Sequence, residues 1–306
     1  MFPGLADYKP FLITGLALGG VYALSGVGIV VLYRATGVLN LAFGAIGAMG
    51  ALLSWTLINH TSSPHWLAYL VCVAFGALVT FAYGVIFGPP LARRDPLVKA
   101  MGTVGLALIL LGIMSYLWPP KARTMFLPST SWQYHIGFAG LDVNWTQIIG
   151  LLFGVLVTVG VAAFLRYTRL GTAMRALADD REITSTLGVP VRRVEAVAWL
   201  GSGVLAGFSG LLLSDLVGLD AVGLTFLVIS ALAAALIAQL RSLTVTLIAG
   251  IIVGLCTALL TPILLWPNAT FSVSTYRYGA PFALAIIALL VMTRGRRVVS
   301  ISRTDR

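Results

Sequence analysis

The chain has few charged residues. Charged side chains make up 10% of the 306 residues and hydrophobic ones 59%, and the mean hydropathy is +0.98. A soluble protein of this length needs more polar side chains to cover its apolar surface, so the composition excludes a soluble globular fold. The ten acidic residues form no second cluster beside Asp179 and Asp180, and the three histidines lack metal-ligand spacing. We therefore predict neither an enzyme nor a metal site.

Cysteine and lysine are also scarce. The two cysteines, Cys72 and Cys256, both fall inside apolar runs, where such residues behave as small buried hydrophobes. The three lysines are Lys9, Lys99 and Lys121, and none of them follows a glycine. A phosphate-binding P-loop needs the sequence G-K-[ST]. This chain therefore has no ATP-binding loop, and any work done by ATP has to come from another polypeptide.

Long apolar runs are what the chain has in abundance. Several approach about twenty residues, the length at which a helix crosses about 30 Å of hydrocarbon. They are continuous rather than alternating, which favours helices over a β-barrel. We place apolar segments at about 11–32, 38–58, 66–87, 97–117, 145–165, 196–214, 222–240, 243–265 and 278–293. The predicted fold is all-α, a polytopic transmembrane helical bundle.

The number of spans is eight or nine. The first two segments are joined by a few residues around Arg34, so they form two full spans, a tight hairpin or a partly re-entrant pair. The residues before the first segment lack a basic n-region, so we expect no cleaved signal peptide and count that segment as a span.

The distribution of charge predicts an orientation. With the amino terminus outside and the carboxyl terminus inside, sixteen of the twenty basic residues fall on the cytoplasmic side, as the positive-inside rule requires. The four that remain outside are Lys9, Lys121, Arg123 and Arg277. The net charge of +10 lies in loops beside spans, which is typical of a membrane protein. We therefore predict the lipid bilayer as a partner and exclude nucleic acid.

Glycine is frequent and regularly spaced. Among the 33 glycines, three GxxxG motifs occur at 15–19, 203–207 and 250–254, and Gly44, Gly47 and Gly50 recur at every third position. Small residues let helices approach closely within a membrane. The pattern predicts a tight bundle and a close partner chain.

One hydrophilic segment interrupts the apolar chain. Residues 166–195 contain ten of the thirty charged side chains, and the predicted orientation makes them cytoplasmic. Within them the pattern predicts a helix over about 180–187, about 12 Å long. The segment is either an ordinary solvated loop or a docking element for a soluble partner.

The local sequence favours a docking element. Asp179 is a natural N-cap and Glu182 follows three residues later, as in a capping box. Gly188 stands where the helix would stop. Ile183 and Leu187 are four residues apart and share one face. Because so short a helix is marginal alone in water, we expect packing against another element to hold it, which suits a docking element for a soluble partner.

These residues resemble those of a known family. Glu182, then Gly188 and an apolar span, is similar to the E-A-A-x-x-x-G coupling motif of ABC importer permeases. Three longer stretches resemble branched-chain amino acid permeases: GTAMRALADDREITSTLGVPVRRVEAVAWLGSGVLAGFSGLLL, GLALGGVYALSGVGIVVLYRATGVLNLAFGAIGAMGA and MGTVGLALILLGI. That family has a G-x-x-N-x-A-x-G turn into its second span, which corresponds here to Gly37, Asn40, Ala42 and Gly44.

The chain departs from the family pattern at a few positions. Ile183 and Thr184 replace the two alanines of the coupling motif. Phe43 stands where the family usually has histidine, and Ala45 stands where an acidic residue is common.

The resemblance implies a function and a set of partners. The chain would be one permease domain, 1–306, of an importer in the bacterial cytoplasmic (inner) membrane, with a cytoplasmic coupling-helix loop at about 166–194. The partners would be a second permease chain, homologous or identical, two cytoplasmic ATPase subunits that bind ATP-Mg, and an extracytoplasmic solute-binding protein. The solute would be a branched-chain amino acid or a related compound. A stand-alone secondary transporter or channel remains the alternative.

Two sets of residues are candidates for this function. The residues expected to couple to the ATPase are Asp179, Asp180, Glu182, Ile183, Leu187 and Gly188. Polar groups within a membrane are candidates for a translocation path; the alternative for each is an interhelical hydrogen bond. The residues assigned to the path are Asn40, Phe43, Thr103, Ser230 and Gln239. Because no ionisable side chain lies clearly within a span, we expect a mostly apolar path that suits an amphipathic solute.

Overall fold

A computed structural model describes residues 9–264, apart from 62, 93, 120, 122, 126, 128–132 and 137–140, together with residues 283 and 286. Its elements, in chain order, are α1 (Lys9–Thr36), α2 (Phe43–Thr61), α3 (His65–Leu91), α4 (Pro96–Leu117), β1 (Gln133–Ile136), β2 (Leu141–Asn144), α5 (Trp145–Tyr167), α6 (Arg169–Asp179), α7 (Arg181–Thr186), α8 (Val191–Val217), α9 (Ala221–Phe226), α10 (Val228–Ile237) and α11 (Leu243–Leu264). Apart from one hairpin, the described elements are helices, and the predicted all-α bundle is confirmed.

Six of the described helices are long and apolar enough to cross a membrane: α1, α3, α4, α5, α8 and α11. Helix α2 has 19 residues but ends in a polar segment. The predicted span at 278–293 lies outside the described residues, except for residues 283 and 286. The count of eight or nine spans and the orientation of the termini stay predictions.

Helix α1 lies at the centre of the described bundle. Of its most apolar window, 89% is buried, and it packs along α11, α5, α8 and α10. Helix α2 packs along α8 and α3 and shares few contacts with α1. The two helices therefore do not form the tight hairpin that their short connection allowed, because both use α8 as their packing partner.

Close glycine contacts hold the helices together, as the GxxxG spacing predicted. A Cβ atom added at Gly19 of α1 would lie 2.6 Å from the Cα of Ile251 in α11. On α8, a Cβ at Gly207 would lie 2.7 Å from the Cα of Val73 in α3. Such distances leave no room for a side chain, so these helices meet backbone to backbone.

The predicted apolar segment at 222–240 is broken in the middle. Helix α9 ends at Phe226 and α10 begins at Val228. The amide of Gly223 donates to Asp220 Oδ2 at 2.6 Å, which caps α9. After α10 the chain turns through Gln239 and Leu240 at φ of 53° and 56°. A single straight span at this position is therefore wrong.

The long loop between α4 and α5 contains a feature that the sequence pattern did not indicate. Strands β1 and β2 pair antiparallel, with Gln133 opposite Asn144. Asn144 then forms a capping box with Gln147 at the start of α5. The loop is also tied to α8, because the amide of Leu127 donates to Asp215 Oδ1 at 3.1 Å.

Candidate functional site

The hydrophilic segment between α5 and α8 folds as two helices. Helix α6, which sequence reasoning missed, is capped by Thr168, whose Oγ1 accepts from the amide of Gly171 at 3.0 Å. Its buried face consists of Gly171, Met174 and Leu177, and it packs on α1, α5 and α8. The signal available in the sequence was the spacing of these three residues at helical intervals. Helix α6 is therefore packed against the bundle, and it leads directly into α7.

Helix α7 has six residues and begins one residue later than predicted. The amide of Ile183 donates to Asp180 Oδ1 at 2.9 Å, so the N-cap is Asp180. The predicted cap at Asp179 and its capping box with Glu182 are wrong. Asp179 is the last residue of α6, whereas Asp180 has the extended backbone, φ −152° and ψ 114°, that a cap requires. Glu182 lies in the first turn of α7 and is exposed.

Two apolar side chains, one on α7 and one directly after it, are uncovered. Gly188 follows the helix at φ +81°, in the left-handed conformation that ends many helices. Thr184 is buried and faces the rest of the molecule. In contrast, Ile183 is 60% exposed and Leu187 76% exposed. This apolar pair points away from the described part of its own chain.

An ion pair fixes this segment to the bundle. Nη1 of Arg181 on α7 contacts Oε1 of Glu195 on α8, and the two side chains are 37% and 13% exposed. Glu195 lies in the second turn of α8, so the pair joins α7 to the start of that helix.

Three of the predicted path residues come together at the turn between α1 and α2. Oγ1 of Thr103 on α4 accepts from the amide of Leu41 at 3.2 Å. Asn40 is buried, and its Oδ1 accepts from the amide of Ala42 at 3.1 Å. Its Nδ2 has no hydrogen-bond partner within the described residues. Phe43 follows at the start of α2 and is also buried.

Phe43 also borders a small cavity at the centre of the described bundle. The cavity measures about 10 Å³, room for about one water molecule. Two serines, Ser25 on α1 and Ser209 on α8, face it across Gly44, Gly47 and Gly210. Sequence reasoning missed both serines, because a serine in an apolar run gives no distinguishing signal. Ser230 does not line this cavity; it is buried and its Oγ has no partner among the described residues.

Gln239 lies in a different place, on a wide cavity that we call the vestibule. The vestibule measures about 790 Å³, and three arginines line it. Its charged lining residues are Arg34, Lys99, Asp179, Arg181 and Arg241. Nη1 of Arg34 donates to the carbonyl oxygen of Arg241 at 3.2 Å, which joins α1 to the turn after α10. Lys99 was not among the predicted site residues.

The membrane-length helices pack through glycine contacts, and a capped pair of polar helices lies between α5 and α8. These features define a multi-pass membrane protein. The family model described as the permease component of branched-chain amino acid transport systems matches residues 11–291, and the chain belongs to that family.

Two relatives match this chain over most of their length, and a third matches over about half of its own. The high-affinity branched-chain amino acid transport system permease protein LivH of Escherichia coli K12 is 27% identical, with 92% of each chain covered. The permease protein BraD of Pseudomonas aeruginosa PAO1 is 26% identical, with 96% of each chain covered. LivM, a permease protein of the same-named system in Escherichia coli K12, is 26% identical over 63% of this chain and 49% of its own.

Proposed function

We propose that the chain is the membrane-spanning permease subunit of an ABC importer. It moves a small amphipathic solute, a branched-chain amino acid or a related compound, inward by alternating access that separate ATPase subunits drive. The observation that carries this proposal is the exposed apolar pair on α7, Ile183 and Leu187, in a chain of a transport-permease family.

The apolar pair supports coupling to a soluble partner. The exposed isoleucine and leucine, on and directly after a capped six-residue helix, stabilise nothing within the described chain. They instead suit an apolar pocket on another protein. Moving a two-state equilibrium from 1:99 to 99:1 takes about 5.5 kcal/mol of differential binding. The Arg181–Glu195 ion pair connects α7 to α8, and α6 is packed against the bundle. Binding of a partner to α7 therefore displaces α8 rather than only the loop.

The central cavity supports alternating access. It holds about one water molecule, so a branched-chain amino acid passes only after the surrounding helices separate. The cavity is lined by apolar and hydroxyl groups without a charged side chain, which suits an amphipathic solute. Outside the lining of this cavity, Nδ2 of Asn40 and Oγ of Ser230 are buried without partners among the described residues, and they can bind the solute once the helices separate.

The proposed assembly contains further chains. A second permease chain, homologous or identical, completes the path. A homologous chain is supported by the names of LivH and LivM, which are both permease proteins of one system type in Escherichia coli. Two cytoplasmic ATPase subunits bind ATP-Mg, and an extracytoplasmic binding protein delivers the solute. The assembly lies in the bacterial inner membrane, with α7 on the cytoplasmic side.

The test uses the complex reconstituted in liposomes with its ATPase subunits and binding protein. We expect Ile183→Ser with Leu187→Ser to abolish ATP-driven leucine uptake and co-purification of the ATPase, while the melting temperature stays unchanged because both side chains are exposed. Ser185→Ala, an exposed position on the same helix, is the matched control. Uptake by the permease alone, without the ATPase, would instead establish the stand-alone transporter.

A further inference from the structure

We infer that the vestibule contains a binding site for the carboxylate of the transported solute, centred on Lys99. The inference deepens the proposed function and rests on it. Lys99 is 9% exposed and lines the vestibule. Its ammonium group has neither a hydrogen bond nor an ion pair among the described residues. A buried charge of this kind is costly unless an opposite charge joins it.

The surrounding charges select an anion. Arg34, Arg181 and Arg241 share the lining with Lys99, against the single carboxylate of Asp179. Asp179 and Arg241 are both exposed, so solvent screens both charges. Glu195 lies within electrostatic reach of Lys99 and is paired with Arg181, so these two charges offset each other and leave Lys99 and Arg34. The vestibule therefore keeps an excess of positive charge that no described carboxylate neutralises.

The backbone adds to this preference. Lys99 stands in the first turn of α4, where the helix dipole is positive and a cation is disfavoured. Its Nζ lies 3.7 Å from the position of a Cβ added at Gly37, so the ammonium group faces the backbone at the end of α1. An oxyanion at this point would pair with Lys99 and with the positive end of α4 together.

The position suits a solute that leaves the path. Lys99 and Thr103 are one helical turn apart on α4, about 6 Å along its axis, and Thr103 holds the turn that carries Asn40. Gln239, another predicted path residue, lines the vestibule beside Lys99. A solute released past Asn40 thus meets a cation suited to its carboxylate.

The experiment uses the scarcity of lysine in the chain. The assembled complex in phosphatidylcholine nanodiscs is treated with trace formaldehyde and a borohydride, and methylation of each lysine is followed by mass spectrometry. The probes are isocaproate, which has the carbon skeleton of leucine and a carboxylate but no amine, and its uncharged amide. Exposed Lys9 and Lys121 are internal controls.

We expect isocaproate to slow methylation of Lys99 about tenfold at about ten times its dissociation constant, and the amide to have no effect. Arg241→Gln should weaken this protection, whereas Arg192→Gln, an exposed arginine outside the vestibule lining, should not. Equal protection by acid and amide, no protection by either, or a Lys99 that is never methylated would each overturn the inference.

Two further arms separate the alternatives. If phosphatidylglycerol in the nanodisc protects Lys99 and isocaproate in neutral lipid does not, the site binds a lipid headgroup and the inference is overturned. ATP-driven uptake is measured separately. Loss of uptake with protection intact would remove the proposed function and leave the oxyanion site, while normal uptake without protection would remove the site alone.

Discussion

The hydroxyl of Thr103 on α4 lies 2.9 Å from the carbonyl oxygen of Leu39, in the turn between α1 and α2. Oγ1 of Thr103 also accepts from the amide of Leu41 at 3.2 Å, so one side chain contacts a carbonyl and an amide of a turn far away in sequence. The turn that carries Asn40 is therefore attached to α4.

Replacing this hydroxyl should destabilise the protein. Thr103→Val keeps the volume but leaves the amide of Leu41 without its acceptor, at a cost of about 1–3 kcal/mol. We expect a lower melting temperature in detergent and reduced uptake. Thr158→Val is the control, because within the described residues the buried Thr158 hydroxyl bonds only to Gly154 O in its own helix. Equal melting temperatures for the two variants would contradict the attachment.

The end of α7 should tolerate no side chain. Gly188 has φ +81° with nothing within 4 Å of an added Cβ, so the cost of Gly188→Val is conformational, about 1–2 kcal/mol or more. We expect the variant to insert in the membrane but to lose ATPase stimulation, as the end of α7 is rebuilt. Gly201→Val, at a helical glycine with equally open surroundings, should keep both. Normal stimulation in Gly188→Val would refute a role for this turn.

The Arg181–Glu195 pair should behave as a unit. Because Arg181 is 37% exposed, we expect a coupling energy of only about 0.2–1 kcal/mol in thermal stability. The larger effect should appear in transport: Arg181→Met and Glu195→Gln should each reduce ATP-driven uptake, and the double variant should be no worse than either single one. Additive losses in uptake would show that the two residues act separately.

Glycine contacts between α1 and α11 should be essential for folding. A side chain at Gly19 meets the backbone of Ile251, which cannot move aside as a flexible side chain can. Gly19→Val should therefore cost about 1–3 kcal/mol or more through overpacking, measured as loss of folded protein after extraction. Gly105→Val, where the space around the Cβ is open, should be extracted at the normal yield.

The sequence predicts the parts of this fold that depend on long patterns. Apolar runs locate the six membrane-length helices, and glycine spacing predicts close helix packing, because both signals repeat over many residues. Only the structure shows that Gly19 contacts α11. The break at Leu227 lies in a continuous apolar run without proline, so no local signal marks it. Tertiary contacts likewise hold Gln239 and Leu240 at positive φ, against the intrinsic preference of both residues.

The candidate site divides in the same way. Gly188 and the apolar pair of α7 follow from local spacing, whereas the N-cap moved from Asp179 to Asp180 because α6, which is held by the bundle, extends one residue further. Lys99 resembles any basic residue near a helix start. Only the three-dimensional arrangement brings it beside Arg34, Arg181 and Arg241.

The break between α9 and α10 has a mechanical consequence. Leu224, Leu227 and Val228 all border the central cavity, so the interruption lies in its wall. We expect the six residues of α9 to rotate as a unit about Leu227, while α10 remains packed against α1 and α11. Widening the passage would then require the displacement of less than two turns of helix rather than a whole membrane span.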